Sequence, residues 1–173
     1  MVARVQITDD LIETIDRVNA DDYVLVIKSN GDLSGIVTSA DLGAALADIA
    51  RPYLLILQCE EALRDLVRLC LERAIVSPDD ITEAMQSKER TFKGEIADLP
   101  FGDLVKVATH PPIWSASSHR TDRSVLLDEL GEVARLRNEV MHFREHSPAS
   151  VRVQARLNGV IAEVLSLTAG LDK

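Results

Sequence analysis

Hydrophobic and polar positions over the first fifty residues follow two different periods. "VARVQI" (2–7) alternates with period two, as a half-buried strand does, and "TDDLIETIDRVNA" (8–20) recurs at helical period behind a Thr or Asp cap. "YVLVI" (23–27) is a continuous apolar run of strand length. "KSNGDLSGIVT" (28–38) has the signature of a hairpin, in which Asn30 and Gly31 supply left-handed turn residues and "LSGIV" returns as a strand. "SADLGAALADIA" (39–50) then opens on a Ser cap and continues as a helix of small residues. The predicted order is β-α-β-β-α.

Beyond Arg51-Pro52 the pattern is helical throughout. Between residues 53 and 75, Leu55, Cys59, Leu63, Leu66, Cys70 and Ala74 share one stripe, while Glu60, Arg64, Arg68 and Glu72 fall outside it, as in a long amphipathic helix. Ser77 followed by Pro78 is a helix start. "LPFGDLVKVATH" (99–110) predicts a short helix that Pro111-Pro112 terminates. "THPPIWSASSH" (109–119) reads as a loop, with Trp114 packed on the bundle and His110 and His119 at the surface. Helices are expected over 121–143, closed by "HSP", and over 149–168. The fold class is therefore α+β, with a β-α-β-β-α unit over 1–50 and an all-α antiparallel bundle over 51–173. One continuous helix could join them near Arg51-Pro52.

Composition narrows the function classes. Hydrophobic residues make up 46% of the 173 positions, enough for a core, but aromatics only 3%, too few for the stacking platforms that hold single-stranded nucleic acid. A net charge of -9 argues against a protein that coats DNA or an anionic membrane. The exception lies between 120 and 156, where Arg120, Arg123, Arg135, Arg137, Arg144, Arg152 and Arg156 outnumber the acids and leave room for a local anion site. Cys59 and Cys70 lie about 20° apart around a helix axis, three turns apart along it, which makes them buried free thiols. With no signal-peptide pattern, and with "YLLIL" too short to span a bilayer, the expected location is cytoplasmic.

"DDYVLVIKSNGDLSGIVTSADL" (21–42) resembles the CBS domain, whose copies share the β-α-β-β-α order and a G-h-x-T/S-x-x-D signature, here Gly35 to Asp41. The resemblance implies an adenine nucleotide such as AMP or ATP as regulatory ligand, with Asp41 at the ribose hydroxyls and Thr38 at a phosphate. The basic residue that often precedes that aspartate is replaced by Ala40, and one copy is present where two normally pair; a second chain, or an upstream copy in a longer protein, would complete the cleft. The other reading of Thr38 and Asp41 is that they cap the following helix.

"RNEVMHFREH" (137–146) carries two patterns. His142, Glu145 and His146 spell the H-x-x-E-H of an inverted zinc protease, but Ser147-Pro148 frays the helix at the second histidine and no third ligand follows, so no metal is expected. Arg137, Asn138 and His142 suit cleavage of RNA without a metal. The ribose supplies the nucleophile, a histidine moves the 2'-hydroxyl proton, and a cation stabilises the charge that develops on phosphorus.

"RNEVMHF" also resembles the R-x4-6-H motif of HEPN domains, helical bundles that carry it on a late helix. The likeness covers residues 51–173 and implies a homodimer whose composite site joins Arg137 and His142 from each copy, with Asn138 as a supporting polar group. RNA would be a transient substrate and no cofactor is required. The alternative is a regulatory or dimerisation module in which these residues are structural.

Overall fold

A computed structural model describes residues 3–87, 90–117, 121–141 and 151–171. The molecule is α+β, with helix over about 70% of its length, and the chain divides into two compact units, Met1–Arg51 and Pro52–Lys173.

In the first unit, β1 (Arg4–Gln6), α1 (Leu11–Asp21), β2 (Tyr23–Ile27) and β3 (Leu33–Thr38) precede the start of α2 (Ser39–Glu72), in the predicted order. β1 pairs parallel with β2, and α1 is the crossover that such a pairing needs. β2 pairs antiparallel with β3, Leu25 opposite Ile36, with an irregularity at Val26/Ile27. Period two places Val5 and Val24 on one face, where Val18 of α1 covers them. Among the described residues these three are the unit's buried apolar side chains, with Ala3, Val26, Val37 and Leu42 packed around them. Ile7, Leu11, Ile12, Leu33, Ile36, Leu46 and Ile49 stand exposed.

Asp10 caps α1, its Oδ1 accepting from the amides of Ile12 (2.8 Å) and Glu13 (3.1 Å). In the hairpin only Gly31 is left-handed, with φ of 88°. Asn30 instead works through its side chain, which accepts from the Asp32 amide at 3.1 Å and donates to Asp32 Oδ2 at 2.8 Å.

α2 is a single helix through Arg51-Pro52. Pro52 removes the amide that would donate to the carbonyl of Asp48, and Asp48 is exposed, so water can satisfy that group. Among the described helices α2 alone is long and apolar enough to cross a membrane, by length and composition only. The contiguous run "YLLIL" had pointed away from any such helix.

In the second unit, the stripe of α2 that includes Leu55, Cys59, Leu63, Leu66 and Cys70 lies in a large core with α3 (Pro78–Met85), α4 (Phe101–Ala108), α5 (Pro111–Ala116), α6 (Arg123–Met141) and α7 (Val151–Leu171). Leu104, Ile113, Leu130, Leu157 and Leu167 are among its fully buried members. α4 packs against α3, α5 and α6, and α6 against α7. Ser77 heads α3 with a reciprocal capping box to Asp80. α2 ends at a turn in which Ala74 takes a left-handed φ of 54°.

Pro111-Pro112 do more than end α4. They open α5, so the expected loop is helical over Pro111–Ala116, because proline at the first helical position lacks only an amide that no helix uses. Trp114 is half-buried against the core, and His110 is half-buried at the helix start. His119 lies outside the described residues.

Candidate functional site

Arg137 reaches its surroundings by helical arithmetic. Leu126, Leu130 and Val133 form the buried stripe of α6, and Arg137 continues it one turn later at the i, i+4, i+7, i+11 spacing. A cation on an inward-facing stripe needs a counter-charge. Arg137 finds Glu60 on α2, with Nε 3.5 Å from Oε2.

Glu60 is itself fixed. Its Oε1 accepts from Arg64 Nη2 at 2.6 Å, one turn along α2. Arg64 also donates to the carbonyls of Ile96 (2.6 Å) and Leu99 (3.5 Å), which tie the 96–99 segment to α2. The Arg64 and Glu60 side chains are 14% and 17% exposed, whereas that of Arg137 is 34% exposed, so the network opens to solvent at Arg137. Among the described residues, the ion pair of Arg137 runs through Nε.

Asn138, 100° further round α6, is exposed and points away from this network. His142 lies outside the described residues, as do Glu145 and His146. Of the three residues expected to act together, the structure thus places Arg137 against α2 and Asn138 toward solvent.

Of the arginines between 120 and 156, Arg120 and Arg144 lie outside the described residues, and Arg123, Arg135 and Arg156 are partnered. Arg123 Nε donates to the Thr109 carbonyl at 2.5 Å. Arg135 pairs with Glu132 (2.6 Å) and Glu139 (2.8 Å), and Arg156 with Glu129 (3.0 Å) and Glu132 (3.6 Å). A shallow cavity of about 380 Å³ between α6 and α7 is lined by Val125, Leu126, Val160, Glu129, Arg156 and Glu163, two acids against one base. Each of these three arginines has a partner, so none of them is placed as a bare anion site.

In the first unit, Thr38 and Asp41 do come together, as a reciprocal cap. Asp41 Oδ2 accepts from the Thr38 amide (2.9 Å) and from its hydroxyl (2.7 Å), while Thr38 Oγ1 accepts from the Asp41 amide (3.3 Å). The hydroxyl bond, then the amide bond, holds the Asp41 carboxyl below its ordinary range. Thr38, not Ser39, is therefore the cap: it ends β3 in extended geometry, from which its hydroxyl reaches the third helical amide. Both of these bonds to the Asp41 carboxylate fall on Oδ2.

Two further features escaped the sequence reading. Glu60 and Arg64 are the first; the repeat that carries Leu126, Leu130 and Val133 to Arg137 was the signal that an inward arginine needed an acid. The second is Asp103, whose side chain is 4% exposed yet charged, matched by Arg90 Nη1 at 2.7 Å and Lys106 Nζ at 3.4 Å. Comparison of the chain with family models, curated proteins and solved structures returned no match.

Proposed function

We propose that the chain is a homodimeric protein of the HEPN type, a metal-independent endoribonuclease whose site joins Arg137 and His142 of two copies, with Asn138 in support. One observation carries this reading. Arg137 stands on a late helix of an all-helical unit, anchored through Nε by Glu60 and one-third exposed, so that its remaining donors can meet a phosphate. A guanidinium held on one edge loses less freedom when it binds an oxyanion on the other. His142 would move the proton of the 2'-hydroxyl, and Arg137 would stabilise the charge developing on phosphorus. The N-terminal unit, in its resemblance to CBS, would take an adenine nucleotide through Asp41 and Thr38 or strengthen the dimer.

A second reading rests on the pairing already described. Thr38 and Asp41 cap each other, and Arg137 has an acid partner, as in a non-catalytic regulatory or dimerisation module. Cleavage of single-stranded RNA in EDTA by the purified full chain decides between the two. The nuclease reading expects cutting that Arg137→Ala and His142→Ala each abolish while the dimer persists in sizing experiments; RNA that stays whole with and without AMP or ATP sinks it. A melting-temperature shift with AMP or ATP that Asp41→Asn removes would assign the nucleotide to the first unit.

A further inference from the structure

We propose that Glu60 is an internal competitor for phosphate at Arg137, a fixed carboxylate whose charge lowers the affinity of the site for a phosphodiester; this rests on the nuclease reading above. The geometry is specific. Arg64 holds Glu60 Oε1 at 2.6 Å and is held in turn by two backbone carbonyls, so the carboxylate cannot swing away and its Oε2 stays directed at Arg137.

The contact to Arg137 is the looser of the two, 3.5 Å against 2.6 Å, and it is the one near solvent. A phosphate oxygen approaching Arg137 therefore meets a fixed negative charge beside the cation, and the carboxylate of Glu61, 4.0 Å from Arg64 Nε, adds to the same sign. Neutralising Glu60 as Glu60→Gln keeps an acceptor for Arg64 and removes the repulsion. Because Arg137 is about one-third exposed, solvent screens the effect to that of a surface pair, so the expected gain is about three- to fivefold in affinity at low salt, shrinking as salt rises.

The probe is a single-stranded 2'-deoxy oligonucleotide, which has the phosphates but not the nucleophile. Wild type, Glu60→Gln, Arg137→Ala and the double variant are compared by fluorescence anisotropy, with Trp114 emission as the check on folding. RNA cleavage by the same proteins separates KM from kcat. The proposal expects Glu60→Gln to bind the probe more tightly and to lower KM, and the double variant to lose the gain.

If Glu60→Gln binds like wild type while Arg137→Ala weakens binding or cleavage, the competitor role is wrong and the nuclease reading stands. Tighter binding without any cleavage keeps the competitor role and removes the nuclease. A chain that neither binds the probe nor cuts RNA, in wild type or variant, overturns both. A drop in kcat in Glu60→Gln with unchanged probe affinity makes Glu60 a positioning residue for Arg137, which also refutes competition.

Discussion

Replacing Arg64 with methionine keeps the aliphatic stem and deletes the guanidinium, which isolates what the charged fork contributes. Three bonds are lost: those to Ile96 and Leu99 and the one to Glu60 Oε1. What remains is two carbonyls without this donor and a carboxylate 17% exposed, whose other described cation, Arg137, is 3.5 Å away. Hydrogen bonds from a charged donor contribute about 1.5–3 kcal/mol each in isolation, but the 3.5 Å bond is weak and water reaches the site in part, so Arg64→Met is expected to cost about 2–4 kcal/mol. Glu60→Gln should cost less than about 1 kcal/mol, because Arg64 keeps its carbonyl partners and a neutral acceptor.

The double variant should recover part of the Arg64→Met loss, since the stranded carboxylate is gone. Urea unfolding followed by Trp114 fluorescence is the assay. The chain has one tryptophan and it packs in the second unit, so the signal is not mixed with the first. A cost for Arg64→Met below about 1 kcal/mol, or one that Glu60→Gln equals, refutes the claim that this arginine is the tie between α2 and the 96–99 segment.

Three other outcomes are expected. Burial, and for Cys59 the adjacent Glu60 charge, pushes the thiols up to about 12 and about 11, so Cys59 and Cys70 should resist a thiol reagent in the native chain and react at once in denaturant. Hydrogen bonds to Thr38 hold Asp41 below the ordinary carboxylate range, and bonds to Ser77, amide first and hydroxyl second, do the same for Asp80. A carboxyl depressed in the folded state stabilises above its unfolded value, and that contribution is lost as pH falls through the folded value; circular dichroism should show helix loss below about pH 4 that is reduced in Asp41→Asn/Asp80→Asn. Ala74→Gly, at φ of 54°, should stabilise by about 0.5–1 kcal/mol in urea melts, where a loss would show that the left-handed turn is unstrained.

Signals confined to a few neighbouring residues were legible. Asp10, Ser77-Pro78, the continuous apolar run at 23–27 and the returning hairpin strand at 33–38 place their elements to within a residue or two, because a cap or a strand is chosen by its immediate neighbours. Pro111-Pro112 is ambiguous by the same logic, since two prolines end one helix as readily as they begin the next. At Asn30-Gly31 the dipeptide marks the turn but not the division of labour, in which one residue supplies backbone freedom and the other a side-chain bond. The partner of Arg137 lies 77 positions away in sequence, and only the tertiary fold brings Glu60 to it. Pattern indicates that Arg137 faces inward; it does not say which acid waits there.

The small core of Val5, Val18 and Val24 gives the first unit a character of its own. Roughly fifty residues around three buried side chains among those described leave little to offset the entropy of ordering the chain. Its amides should exchange with solvent through openings of low free energy, well before those of Leu63, Leu66 and Cys70 in α2. In such a unit folding and binding are a single equilibrium: whatever binds the closed form alone is reported as protection of the β1–β3 amides. Hydrogen exchange, more than affinity alone, is then the natural readout of what this unit recognises.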